Sequence, residues 1–537
     1  MVFFERRLID KNLYQLYRNL LMPIAQVLAE SSYSGMIVDR TYLEKLERSY
    51  KSKLSKLILR LKNNKRIKKF ERASRLDKIK DLIGEAKKEI EMLEEDENRP
   101  NPERLIRARE DKISRYLAGE FTTKKVLKII EPVNFASPNQ MIDLLFTHKK
   151  GFKFKIVKYT SDKKTKKETN RPSTDEEVLS ALNKKDKSGF IRDLLKHRAL
   201  SKLHSTYMVG ILDKLSERNR IHTSFLVHGT VTGRLSSKNP NMQNIPRGTT
   251  AYKIKKMFVP PTGFLLLEID YSQAELRVVA ELSKDRVMID MFKRKYNIHC
   301  ATAAMAYTNM TYEEFYPLTK DENHPKHTWA IKLKKKAKTY NFGVLYGQSP
   351  KKLAETIAEA TGGKPDVKAA ERGLKDWFNT FPKVKKWIKK QHKLAKKNGY
   401  VVNIFGRKRR LPNIYSAKFG EVLEAQRQSV NAPIQGTASD FTLFSAILIR
   451  EQVIKGDLPK YLSPQVYTVH DSIGFYIKPK DMKEVIPKLI EICANPETKK
   501  WFGFEMKHVT MKVSPEIGIT WSDLKDYDPN FNYEKLL

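Results

Sequence analysis

The stretch Phe264-Leu-Leu-Leu-Glu-Ile-Asp270-Tyr-Ser-Gln-Ala-Glu275-Leu-Arg277 constrains this chain more than any other, because it sets an acidic side chain at the end of an apolar run. Leu265, Leu266, Leu267 and Ile269 read as a buried strand, and Tyr271-Ser272-Gln273 opens a helix. Asp270 therefore stands at the strand's exit. A carboxylate there needs a basic partner or a metal ion, since burying it alone is costly.

A second aspartate of this kind lies in Gln465-Val-Tyr-Thr-Val-His470-Asp471-Ser-Ile-Gly-Phe-Tyr-Ile477. Two short β-rich runs flank His470-Asp471-Ser472, which predicts a hairpin with Asp471 near its tip. Asp270 and Asp471 are expected to meet on one sheet. Carboxylates paired on neighbouring strands suit two Mg²⁺ ions in enzymes that displace phosphates. Between them, Lys334, Lys338, Phe342 and Tyr346 are spaced four apart, a slowly winding helical stripe roughly 18 Å long. Cations followed by rings fit a triphosphate followed by a sugar and a base.

Asp270-Tyr-Ser-Gln-Ala-Glu-Leu-Arg, Lys338-Thr-Tyr-Asn-Phe-Gly-Val-Leu-Tyr-Gly and Val469-His-Asp-Ser resemble the three polymerase motifs of family A DNA polymerases, the bacterial DNA polymerase I type. Thr232-Gly-Arg-Leu-Ser-Ser-Lys-Asn-Pro-Asn-Met-Gln-Asn-Ile-Pro246 and Arg427-Gln-Ser-Val-Asn431-Ala-Pro-Ile-Gln435-Gly-Thr-Ala resemble two further signatures of that family, in the right order. The resemblance runs from about Leu13 to Trp521.

It implies an α/β (α+β) right-hand fold: an antiparallel palm sheet, with fingers and thumb largely helical. The expected segments are 1–40 as an N-terminal connection, 41–200 as a thumb with an extended helical insertion, 201–275 as the first part of the palm, 276–420 as fingers and 421–537 as the second part of the palm with the catalytic hairpin. It also implies an activity, template-directed addition of dNMP from dNTPs to a primer 3'-OH. By resemblance, Asp270 and Asp471, with Tyr271, hold two Mg²⁺ ions, for which Mn²⁺ can substitute. Lys338 meets the triphosphate and helps protonate the leaving pyrophosphate. The dNTP is received by Lys334, Lys338, Phe342, Tyr346, His299, Gln273 and Glu275, and the primer–template by Arg234, Gln243, Arg427, Asn431, Gln435 and His470.

Several positions carry a second reading or depart from the family pattern. Ser272 and Glu275 have the spacing of a helix capping box, while the resemblance makes Glu275 the wall that excludes a 2'-hydroxyl. Lys334 stands where the family has arginine, keeping charge but losing the bidentate fork. Phe342 brings no hydroxyl, so dideoxynucleotides are expected to be poor substrates. Ser472 replaces the family's glutamate after His-Asp. Arg277 is expected to brace the fold, and Arg407-Lys-Arg-Arg410 either meets template phosphate or faces water.

From Tyr42 to about Arg115 the chain predicts two long antiparallel helices, on Leu43, Leu46, Tyr50, Leu54, Leu57 and Leu61 and on Leu76, Ile79, Ile83, Ala86, Ile90 and Leu93, with a break near Asn98–Pro102. This thumb is longer than is usual in the family, roughly over Lys62–Glu120. The excess either docks a processivity partner or is a solvated helical pair. A basic turn, Lys163–Lys167, is a phosphate contact or simply solvated. The segment before Arg40 resembles the joint between a 3'-to-5' exonuclease domain and a polymerase domain. Beginning almost at Met1, it predicts a chain that does not proofread and relies on any exonuclease as a separate partner; the chain is expected to be a monomer. Asp523 to Leu537 reads as a polar tail.

Lys+Arg of 103 against Asp+Glu of 62 leaves +41, which calls for a polyanionic partner. Ribosome-associated proteins are as basic, so charge alone does not choose an enzyme. Two cysteines, Cys300 and Cys493, argue against a zinc site, and no apolar run or signal-peptide core predicts a membrane or export route. The expectation is a soluble, cytoplasmic protein, in a host cell if its source is a phage or mobile element. The alternatives are a catalytically silent nucleic-acid-binding protein of this fold and a single-subunit RNA polymerase. Glu275 and the Lys334–Gly347 helix argue against the RNA polymerase, and intact Asp270, Lys338 and Asp471 against the silent protein.

Overall fold

The computed structural model describes residues 2–96, 100–118, 132–162, 168–245 and 253–537. They form two compact units, one of Thr41–Leu212 and one of Met1–Arg40 with Asp213–Leu537.

In the Thr41–Leu212 unit, α1 (Arg40–Lys62) buries the predicted stripe from Leu43 to Leu61. The chain then breaks at Asn63-Asn64, because Asn64 turns extended and its side chain accepts from the Arg66 N–H, capping α2 (Lys65–Glu94). With α3 (Pro102–Ala118) the expected pair is three helices. The α2 stripe is only partly covered: Ile67, Phe70, Ala86 and Leu93 are buried, whereas Leu76 is exposed. Leu57, Leu61, Ile67 and Phe70 join Phe135, Phe152 and Phe190 in one core, and α4 (Phe190–Lys202) closes it. The turn at Lys163–Lys167 lies outside the described residues, as does part of the Asn98–Pro102 break.

The other unit is built on a five-stranded antiparallel sheet. Its strands are β1 (Leu265–Tyr271), β2 (Tyr467–Val469), β3 (Ser472–Ile477), β4 (Val513–Gly518) and β5 (Lys525–Asp526), in the spatial order β2-β3-β1-β4-β5. Alternation sorts β1 into two faces. Leu265, Leu267, Ile269 and Tyr271 enter the main hydrophobic core, and Glu268 and Asp270 stand on the opposite face. The expected polar tail supplies edge strand β5.

Four helices of this unit matter to the site: α5 (Ala274–Ser283), α6 (Ile298–Tyr307), α7 (His327–Leu345) and α8 (Phe419–Lys455). Most of α8 after Ser429 is buried, so it forms the spine of the core. Among the described residues no helix is long and apolar enough to cross a membrane.

Candidate active site

The hairpin β2–β3 places Ser472 directly opposite Asp270, and the Tyr271 N–H donates to the Asp471 carbonyl at 3.0 Å. Both predicted aspartates therefore leave the same sheet side by side. Each is followed or preceded by a non-glycine residue in the left-handed region, Gln273 (φ 57°) after Asp270 and His470 (φ 57°) before Asp471. Gly474 is required nearby for a different reason. A Cβ there would lie 2.2 Å from the Tyr467 ring, which crosses the strand so that its hydroxyl reaches Glu268.

Burial, then the charges of Asp471, Glu268 and Glu516, push the Asp270 carboxyl up to about 8, with only Lys255 opposing them. Carboxylates crowded this way with so little countercharge are a donor set suited to hard cations such as Mg²⁺. Tyr271 offers such an ion only its main-chain carbonyl. Its hydroxyl is buried, bonded to Ser445 Oγ (2.7 Å) and the Cys493 carbonyl (2.9 Å). Ser472, in place of the family's glutamate, donates to the Val469 carbonyl at 3.0 Å and closes the hairpin.

The capping-box reading of Ser272 and Glu275 fails. Gln273 occupies the cap position without any side-chain cap bond, and Glu275 points elsewhere. Its Oε1 accepts from Arg234 Nη2 at 2.7 Å and its Oε2 from the Tyr346 hydroxyl at 2.8 Å. Tyr346 is also hydrogen-bonded to Gln435. Burial and nearby Asp471 raise the Glu275 carboxyl above its usual range, outweighing Arg234 and the Tyr346 bond.

A second cluster forms around His299. Asn341 is fully buried, and its Oδ1 accepts from Trp377 Nε1, which can only donate. Its Nδ2 must then face His299 Nδ1, at 3.0 Å. His299 is thereby held as the tautomer with its proton on Nε2. Burial, Lys338 and Lys334 together push its pKa down to about 4, so the ring is neutral. The Phe342 ring lies 5.7 Å from it. Helix α7 thus joins both clusters, lysines and Phe342 at one and Tyr346, its C-terminal cap residue, at the other.

The remaining predicted residues fall into two kinds. Gln273 Oε1 and Asn431 Nδ2 are buried atoms with no hydrogen-bond partner. Gln243, by contrast, is given to the protein itself: Nε2 donates to the Thr468 carbonyl and Oε1 accepts from the His470 N–H at 3.1 Å, fixing the hairpin. Arg427 pairs with Glu424 (3.1 Å from Nε) and packs against Gly347. Arg277 braces the fold through the carbonyls of Ser272 and Thr510 and lies over Phe292.

Sequence reading missed one arrangement entirely. Arg407, expected on phosphate or in water, pairs with the fully buried Asp440 at 2.6 Å, and Asn403 Nδ2 donates to the same carboxylate at 2.7 Å. Gly233 (φ 89°) lies against this arginine, where a Cβ would come within 2.5 Å of Arg407 Nε. The pair thus seats the turn that presents Arg234. The only signal was an aspartate inside an apolar helix, which demands a partner.

An antiparallel sheet with two aspartates at its rim, and beside it a helix whose Tyr346 bonds to the Glu275 carboxylate, agree with the fold class that the sequence resemblance implied. The chain belongs to DNA polymerase family A, whose family model matches residues 108–523. It is 31% identical over 520 residues to a DNA polymerase of Bacillus phage SP01, covering 95% of this chain and 51% of that protein. It is 33% identical over 361 residues to the thermostable DNA polymerase I of Thermus aquaticus, covering 67% of this chain and 39% of that protein. The chain thus spans about half the length, or less, of these relatives. Its fold is similar to the POL domain of Pol1 from M. smegmatis, solved in complex with DNA primer-template and dNTP, with a TM-score of 0.69 and 24% identity over 96% of this chain and 73% of that one.

Proposed function

We propose that this chain extends a primer 3'-OH on a DNA template, taking dNMP from dNTPs and releasing pyrophosphate. The observation that carries the reading is the emergence of Asp270 and Asp471 side by side, next to the bonded group Glu275, Arg234 and Tyr346. In this reading the 201–275 and 421–537 segments are the palm, 276–420 the fingers and 41–200 the thumb.

Asp270, Asp471 and the Tyr271 carbonyl hold Mg²⁺, which when bound activates the attacking oxygen and neutralises phosphate charge. The protein's own groups do the rest. Lys334 and Lys338 grip the triphosphate, and Lys338 offers a proton to the departing pyrophosphate. Neutral His299 donates from Nε2 to a phosphate oxygen. Phe342 packs on the sugar, and the Glu275 carboxylate, held by Arg234 and Tyr346, leaves no room for a 2'-hydroxyl. The unpartnered atoms of Gln273 and Asn431 take up ligand hydrogen bonds, as buried polar groups require. Arg427 and Gln435 reach minor-groove acceptors shared by every correct pair. Gln243 acts through the hairpin, setting His470 at the primer terminus.

The phage relative supports a role in phage DNA replication, and the same reading has the chain act as a monomer in the host cytoplasm. Extension of a labelled primer with Mg²⁺ and either dNTPs or NTPs, by wild type and Asp270→Ala, tests the assignment. Growth with dNTPs by wild type alone is expected. Duplex binding without any growth would make the chain a silent binding protein, and growth with NTPs would remove Glu275 as the sugar gate.

A further inference from the structure

A basic hollow of about 560 Å³ opens within the Thr41–Leu212 unit, and none of the candidate active-site residues named above lies in it. One wall is the start of α2, with Lys65, Arg66 and Lys69, and the other is the loop before α4, with Lys185 and Lys187. No described carboxylate forms an ion pair with any of these five cations. Asp186, the one acidic residue in the lining, is committed locally. Its Oδ1 accepts from the Ser188 N–H (2.9 Å) and hydroxyl (2.6 Å), and its Oδ2 from the Ile191 N–H at 2.8 Å.

Two rings complete the hollow. Phe152 and Phe154 lie parallel, their planes 8° apart and centroids 5.4 Å apart, and the Arg66 guanidinium stands 5.2 Å from the Phe152 ring. Phe152 is buried in the core and backs Phe154, which is half-buried and borders the open space. Cations on two sides of a recess that also holds an aromatic ring match the chemistry of a phosphodiester strand with unpaired bases: phosphates for the walls, a base for the ring. A duplex presents no free base face, and an acidic peptide would leave the ring unused.

We propose that this hollow holds a single-stranded nucleic-acid segment, its phosphates between Lys65, Lys69, Lys185 and Lys187 and one base on Phe154. The site draws on α2, which follows directly from the break at Asn63-Asn64, so the extra helical region serves as one wall of a strand-binding cleft.

The test uses the full chain, first saturated with an unlabelled primer–template hairpin so that a primer–template site is filled. A labelled oligothymidylate of about a dozen nucleotides, within the span such clefts accommodate, is then titrated and followed by anisotropy. Wild type is expected to bind it, more weakly as salt rises. The double variants Lys65→Glu/Lys69→Glu and Lys185→Glu/Lys187→Glu should each weaken binding about tenfold or more. Phe154→Ala should weaken it roughly 5- to 150-fold, as loss of one stacked base predicts. Hairpin extension should stay unchanged in the charge variants, and its absence even in wild type would count against the polymerase reading alone. The proposal is overturned if the hairpin-filled protein leaves the strand unbound, if both charge-reversed variants bind it like wild type, or if polyglutamate displaces it as well as unlabelled oligothymidylate does.

Discussion

Two arginine–carboxylate pairs support the same region of the sheet-bearing unit, and they are built to opposite specifications. At Arg407–Asp440 the carboxylate is wholly buried and takes bonds from two arginine nitrogens and from Asn403, so its acceptor capacity is filled within the protein. At Arg234–Glu275 the arginine is a third exposed, and the glutamate shares itself between that arginine and Tyr346 while its carboxyl stays raised. One pair is saturated and the other is left partly open to solvent. A saturated pair holds backbone in place. An open one keeps polar capacity for something that arrives later.

The largest effect that would sharpen this contrast belongs to neither pair but to Asp270. Asp270→Ala should lower primer extension by about a thousandfold or more, roughly 4 kcal/mol of barrier, and EDTA should abolish extension by wild type. Because Asp270 sits among Asp471, Glu268 and Glu516, the melting temperature in EDTA should not fall. A clear drop would mean that this carboxylate serves the fold.

Next comes the pair comparison itself. Asp440→Ala should cost about 3–5 kcal/mol of stability in urea unfolding, because it strands a buried guanidinium. Arg234→Ala should cost less, about 1–3 kcal/mol, because the buried Glu275 it leaves behind keeps the Tyr346 bond, yet lower extension by tenfold or more. Equal stability losses would erase the distinction.

His299 gives an intermediate effect. Its folded pKa of about 4 lies below the ordinary value of 6.5, so the unfolded chain takes up the proton first. The stability tied to this ring is complete above pH 6.5 and should decline by about 1.4 kcal/mol per pH unit as pH falls toward 4. His299→Gln should flatten that part of the profile, and an unchanged slope would remove His299 as its source. The smallest effect is expected at Ser272. With no cap bond to lose, Ser272→Ala should change stability by less than about 0.5 kcal/mol, where a true cap residue would cost about 1.

The sheet, the hairpin and the spacing on α7 were legible because they rest on local signals: alternation, β-rich runs around a turn, and steps of four. What was hidden depends on partners distant in the chain. Asp440 stands in an apolar helix and so demands a partner, but which residues supply it shows only in the approach of Asn403 and Arg407. Ser272 and Glu275 matched a local motif, but Arg234 and Tyr346 outcompeted the helix end for the glutamate. Asn341 adjoins Phe342 in a recognised motif, yet it points into the core and acts by fixing a histidine. The short strand Lys525–Asp526 has too few residues to show a period, and it exists because β4 offers an open edge.

Gln273 and His470 carry one further consequence. Each keeps a side chain in a backbone region that disfavours it by roughly 1–2 kcal/mol, Gln273 shortly after Asp270 and His470 directly before Asp471. The chain meets that penalty once, when it folds. Gln273→Gly or His470→Gly would therefore relax the backbone while deleting a side chain, and a protein made more stable by either change would show that the sheet's rim is held under tension at rest, already in the shape its ligand encounters.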